Sequence, residues 1–183
     1  LDVTTVTQDA LHIQTSNADA ATATNPSLRF VLADVHVRST GPRTGMDFEG
    51  ATLGLIKRCT VAGPITGVAF RGSANNFCAD LIFEDMEFYD NVTADVATHN
   101  GVGNPGVTNL TNVVFHRTAF TDVGGTPVTN FINYHTASTV VNCAFLNSNF
   151  SRTVSNGTRI ATMPTNLVVN GWDTSTTRIG LVG

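Results

Sequence analysis

The chain has 183 residues, enough for one domain with a substantial core. Hydrophobic residues make up 42% and charged residues only 13%, which excludes an intrinsically disordered chain, because disorder needs low hydrophobicity and high charge. With 10 basic against 14 acidic side chains, the net charge of −4 leaves no basic surface for a phosphate backbone, and no apolar run is long enough to span a membrane.

The two ends and the cysteines bear on the origin of the chain. Leu1 leads at once into strand-like sequence, without an initiator methionine, so we expect a fragment or processed piece of a longer protein. The chain has three cysteines, Cys59, Cys78 and Cys143, and no C-x-x-C spacing. They are predicted to be small buried hydrophobes rather than a disulfide framework or a zinc site.

Short apolar segments recur along the chain, each ending in a large apolar residue that we call its anchor. The anchors are Ile13, Val37, Val61, Phe88, Phe120, Phe145 and Trp172. They follow one another at intervals of 24 to 32 residues, which is the range expected for one turn of a repeat architecture.

The positions two and five residues before each anchor are also mainly apolar. Side chains that point inward from a strand occupy alternate positions. The offsets of two and five residues break this alternation, so the two consecutive residues between them both point outward, which predicts a corner between two short strands. Candidates for a third strand per turn follow the anchors at 46–48, 68–70, 95–97, 131–133 and 159–160. The pattern predicts a single parallel β-solenoid over residues 1–183, and the rival β-sandwich is disfavoured because no Asn-Gly turn joins matched strands.

This pattern of six to seven turns, with three short strands per turn and Asn or Asp near the corners, resembles the right-handed parallel β-helix of pectate lyases and phage tailspikes. The resemblance covers nearly the whole chain and is architectural, because no catalytic motif of that family is present. It implies an all-β, right-handed parallel β-helix. It also implies either a polysaccharide-degrading enzyme or a virion spike or fibre that binds cell-surface glycans, usually as a trimer.

The most regular polar feature is a column of alternating charge three residues before the anchors. It consists of Asp34, Arg58, Asp85 and Arg117. A carboxylate held near arginines could abstract a proton from a sugar acid or cleave a glycosidic bond. Unlike charges on adjacent parallel strands also stabilise the register, and the alternation favours this structural interpretation because each acid is neutralised by a neighbour.

Three other groups of polar residues are weaker candidates. His12 and His36 stand one residue before consecutive anchors and are expected to stack as surface histidines without a third metal ligand. Asp47 and Glu49 flank the inward Phe48 and are expected to be a solvated surface pair. The acids around Asp85 lack the spacing of a calcium loop. The sequence therefore predicts no catalytic residue, no metal site and no cofactor.

We expect a virion structural module, such as a tail spike, tail fibre or capsid-surface fibre, that contributes to attachment to a host surface or glycan. Its expected partners are two further copies in a homotrimer, other virion proteins and a cell-surface polysaccharide, and its expected place is the virion surface or the extracellular space. The alternatives are a polysaccharide lyase or glycoside hydrolase of β-helix type and a passenger fragment of a bacterial surface adhesin. An exposed apolar seam along the solenoid would favour the virion module, and a groove with perturbed carboxylates would favour the enzyme.

Overall fold

The structure is a computed structural model that describes residues 2–4, 9–14, 29–38, 43–71, 77–99, 108–121, 128–135, 137–150, 166–172 and 178–182. Every regular element in these ranges is a β-strand, and they contain no helix that could cross a membrane. The strands lie in three parallel stacks, which confirms the predicted β-solenoid.

Stack A contains short strands of two or three residues and continues into the end of a longer one. Its members are β1 (Asp2–Thr4), β4 (His36–Arg38), β7 (Thr60–Ala62), β10 (Glu87–Tyr89), β13 (Ala119–Phe120) and the end of β16 (Cys143–Phe150). Stack B contains the longer strands β3 (Phe30–Ala33), β6 (Thr52–Lys57), β9 (Phe77–Glu84), β12 (Asn109–His116), the start of β16, and β17 (Leu167–Trp172). The short strand β15 (Val140–Val141) pairs with the start of β12.

Stack C is a separate five-stranded sheet. Its members are β2 (Leu11–Gln14), β5 (Thr44–Glu49), β8 (Thr66–Arg71), β11 (Ala94–His99) and β14 (Asn130–Asn133). The last strand of the chain, β18 (Arg178–Val182), is antiparallel to β17 and is the exception to the parallel pairing among the described strands.

The chain passes from stack A to stack C to stack B and then repeats this order along the solenoid. Each turn exposes an apolar inner side that only the next turn can bury, so the stacking of turns creates the core. Four of the five predicted third strands are confirmed as β5, β8, β11 and β14, and the fifth, at 159–160, lies outside the described residues.

Aromatic columns fill this core. In stack B the rings of Phe83, Phe115 and Phe145 are stacked, with centroids 4.3 and 4.6 Å apart. In stack A, Phe120 stacks between Phe88 and Phe150 at 5.3 and 4.9 Å. The three cysteines are buried free thiols, as predicted.

The corners between stacks B and A use left-handed backbone. Asp34, Arg58, Asp85 and Arg117 have φ angles of 52–56°, which confirms the predicted corner. Such φ angles disfavour most L-residues, and the amide of each corner residue donates a hydrogen bond to the next turn, as from Asp34 N to Lys57 O at 3.1 Å and from Arg58 N to Glu84 O at 2.9 Å, which maintains the corner. A second left-handed column lies within or directly before the strands of stack B and consists of Leu53, Asp80, Asn112, Asn142 and Asn166.

The predicted register is wrong at both ends of the solenoid. Ile13 pairs with Phe48 in stack C, so Val3, which pairs with Val37, is the first member of the anchor column. Phe145 pairs with Phe115, five residues before the true anchor. The sequence permitted both registers because Val140, Phe145 and Phe150 are all apolar at five-residue intervals.

The last predicted anchor also changes, while the turn count differs only slightly. Phe150, and not Phe145, pairs with Phe120, while Trp172 pairs with Asn149 after an irregularity in the ladder. The described strands form six levels in stacks A and B and five in stack C, which differs only slightly from the six to seven turns predicted, and the corrected anchors shift the register without removing a turn.

Candidate functional site

The alternating column is assembled as predicted, and its members pair in two groups. Arg58 binds Asp34 through two hydrogen bonds, from Nε to Oδ1 and from Nη2 to Oδ2, both 2.7 Å long. Arg117 binds Asp85 in the same way at 2.7 and 3.0 Å and also donates to Glu84 Oε1 at 2.7 Å. All of these side chains are substantially exposed, so the pairs contribute little to stability and mainly favour the observed register.

These contacts determine the protonation of the two corner acids. The hydrogen bonds from Arg58 lower the pKa of Asp34, and those from Arg117 lower the pKa of Asp85. Both acids therefore stay ionised and paired at neutral pH, which makes them poor proton donors, and their lowered pKa also makes them weak bases for proton abstraction. This chemistry supports the structural interpretation of the column over the catalytic one.

The predicted stacking of His12 on His36 is wrong. His36 lies in stack A and pairs with Thr60, whereas His12 lies in stack C and pairs with Asp47. The error follows from the assignment of Ile13 as an anchor, which moved the whole segment to the wrong stack.

His12 instead belongs to a cluster of charged groups on stack C. The Nη2 atom of Arg71 lies 2.6 Å from Asp47 Oδ2 and 3.0 Å from Asp9 Oδ2. The Nε2 atom of His12 lies 3.2 Å from Glu49 Oε2 and 3.8 Å from Asp47 Oδ2. Three carboxylates thus surround one guanidinium and one imidazole.

The cluster corrects the expectation that Asp47 and Glu49 form a solvated surface pair. The side chain of Asp47 is fully buried, and that of Glu49 is 15% exposed. The parallel register brings Glu49 beside Arg71 and His12 beside Asp47. Asp9 and Arg71 are 62 residues apart in the chain, so no local motif could reveal their contact.

The cluster could be considered as a cation site. One ligand atom each from Asp9, His12 and Asp47 lies within 4.8 Å of the other two. However, Arg71 already places its positive charge against both aspartates, so a cation would have to displace it. The donor set fits an arginine-centred ion-pair network better than a metal centre.

The outer face of stack B carries a continuous apolar column, here called the apolar seam. Its six members occupy consecutive strands in register and are Val31, Leu55, Ile82, Val114, Ala144 and Val168. Val31 is 65% exposed, Ile82 49% and Val168 36%, and the other three are half-buried. Isolated exposed aliphatic residues are common, but a row that spans six strands points to an interaction surface.

Two open grooves follow the apolar seam along stack B. The first lies over β3 to β12, has a volume of 620 Å³ and is lined by Val31, Leu55 and Ile82 of the seam and by members of the second left-handed column. The second lies over β16 and β17 and has a volume of 580 Å³. We call the two grooves together the channel, and the apolar seam lines it at each level.

The rim of this channel is a ladder of amide and carboxylate side chains. Asn112 Nδ2 donates to Asp80 Oδ1 at 2.7 Å, and Asn142 Nδ2 donates to Asn112 Oδ1 at 3.2 Å. Sequence reasoning missed this ladder. An available signal was the polar residue directly before each of the apolar residues Leu81, Val113, Cys143 and Leu167.

Comparison with known proteins finds no matching protein family, no matching curated protein and no matching solved structure. The fold, the charged cluster and the apolar seam are therefore the observations from which a function can be argued.

Proposed function

We propose that this chain is a non-catalytic structural module of a virion or cell-surface fibre, and that it works as a homo-oligomer. The apolar seam carries this proposal, because copies that pack along it would remove six levels of aliphatic surface from water at once. The proposal includes the location at the virion surface, the other virion proteins and the cell-surface polysaccharide predicted as partners, and the predicted homotrimer.

The composition of the seam supports a protein partner rather than a sugar. Its members are aliphatic at every level, whereas glycans are bound mainly by aromatic platforms and convergent polar groups. Seven large hydrophobic side chains are exposed in the described part of the chain, and five of them lie on this face, two of these beside the seam itself: Val31, Leu53, Ile82, Val141 and Val168.

The test is the solution mass of the intact chain by light scattering coupled to gel filtration. The proposal expects a mass that is a multiple of 19.4 kDa, and a three-fold mass would support the predicted trimer. Ile82→Lys should shift the protein to monomer. Val92→Lys is the matched control, since Val92 is 48% exposed, like Ile82 at 49%, but lies outside the seam. A monomeric wild-type protein over the accessible concentration range would contradict the proposal.

A second candidate, a polysaccharide lyase or glycoside hydrolase, is supported by the charged cluster of stack C. The contact of His12 with Glu49 and the buried Asp47 beside Arg71 place acid, base and cation within reach of one another. Depolymerisation of acidic polysaccharides that is lost in Asp47→Asn but kept in Asp34→Asn would favour this enzyme. Absence of activity in the wild-type protein would count against it.

A further inference from the structure

Charge on the face that holds the apolar seam is segregated by strand. Positions at and beside the corners of the β9 layer carry three carboxylates and no cation: Asp80, Glu84 and Asp85. The equivalent positions of the β12 layer carry an amide, an imidazole and a guanidinium: Asn112, His116 and Arg117. The acidic layer therefore lies directly next to a neutral-to-basic one.

This segregation limits how two copies can meet across the seam. If the copies are related by a rotation axis parallel to the solenoid axis, the same strand of each copy lies at the same height. The three carboxylates of the β9 layer in one copy would then face those of another copy. Like charges so placed are unfavourable. A twofold axis along the strand direction, passing between β9 and β12, instead places the β9 layer of one copy over the β12 layer of the other. Glu84 then faces His116, Asp85 faces Arg117 and Asp80 faces the Asn112 amide. Within each copy Arg117 already binds Glu84 and Asp85 and Asn112 already donates to Asp80, so the antiparallel arrangement extends the same pairings from one copy to the other.

The sizes of the seam residues favour the same arrangement. Inversion of the layers places Leu55 over the smallest member, Ala144, whereas equal layers would place two alanines opposite each other and leave a gap. The remaining pairs are Ile82 over Val114, which differ by one methylene, and Val31 over Val168, which are identical. Alternation of large and small side chains is what lets facing layers interdigitate.

We propose that two copies of this chain pack antiparallel through the apolar seam, with the twofold axis between β9 and β12. The inference rests on the proposed function only in that both require self-association. It replaces the homotrimer, which is expected only from the resemblance and would bring like layers together, with a dimer, so a three-fold mass would overturn the inference and support the homotrimer.

Single cysteines at the two ends of the seam test this geometry. In the antiparallel pair Val31 of one copy faces Val168 of the other, while the two Val31 residues lie about 24 Å apart, five layer spacings of about 4.8 Å. The native cysteines are at most 2% exposed and should not interfere. Val31→Cys and Val168→Cys proteins are oxidised separately and as an equimolar mixture, and disulfide-linked dimers are separated by non-reducing electrophoresis.

We expect linked dimers in the mixture and none from either variant alone, together with a wild-type mass of twice 19.4 kDa. Crosslinking of each variant with itself would show parallel copies and would overturn the inference while leaving the proposed function intact. A dimer without any crosslink would also overturn it, because another face would then form the contact. A monomer would contradict both the inference and the proposed function.

Discussion

The aromatic column of stack B provides the most direct test of how the solenoid is stabilised. Phe115 is fully buried and lies between Phe83 and Phe145, with interplanar angles of 9° and 6°. Its ring also meets Phe70 edge-on, with centroids 6.3 Å apart. Phe115→Ala would therefore remove one ring that contacts the turns on both sides.

The expected cost combines burial, cavity and ring contacts. Truncation of a buried Phe to Ala costs about 3–5 kcal/mol, including the cavity. Each stacked ring pair adds about 0.5–1.5 kcal/mol beyond burial. Because the neighbouring rings can shift along the column and partly fill the space, we expect a loss of about 4 kcal/mol in the free energy of unfolding.

Urea unfolding followed by circular dichroism measures this loss. The matched control is Phe30→Ala, the same deletion in the first layer of stack B, where the ring is only partly buried and contacts Phe48 at 6.3 Å. We expect the control to lose less than half as much stability. Equal losses in both variants, or a loss below about 1.5 kcal/mol in Phe115→Ala, would refute the idea that the central ring column stabilises the turns cooperatively.

Three further predictions concern thiols, backbone strain and acid stability. Burial raises the pKa of Cys78 to about 12 and also protects the thiols of Cys59 and Cys143. A thiol-reactive disulfide reagent should therefore label no cysteine in the native protein and three after unfolding, and rapid labelling of the native protein would contradict this. Leu53→Asn should raise the melting temperature, because asparagine tolerates the φ of 56° better than leucine does. A lower melting temperature would show that the apolar contacts of Leu53 outweigh its backbone strain. Arg58 lowers the pKa of Asp34 from 3.8, so this ion pair stabilises the fold above that pKa and its contribution is lost as the pH falls through the lower folded-state value. The urea midpoint of Asp34→Asn should therefore fall less between about pH 5 and about pH 2.5 than that of the wild type, and equal decreases would assign the acid sensitivity to other groups.

The sequence by itself determined the architecture, because spacing and parity are local properties of the chain. Apolar residues at fixed offsets, with a change of parity at Asp34, Arg58, Asp85 and Arg117, required a corner, and a corner repeated at each turn required a solenoid. The same offsets placed the acid–base column in register. Where several apolar residues satisfied one offset, as at Phe145 and Phe150, the sequence left the register open, and pairing with the preceding turn decided it.

Only the tertiary structure decided which surfaces could have a function. The contact of Arg71 with Asp9 depends on the length of two intervening turns, and the burial of Asp47 depends on what surrounds stack C. The apolar seam arises because six outward positions from separate turns align to the residue. Within its own segment, no sequence signal distinguishes any of these residues. Each acquires its neighbours only because parallel stacking places residues that are 24 to 32 positions apart in the chain on adjacent strands.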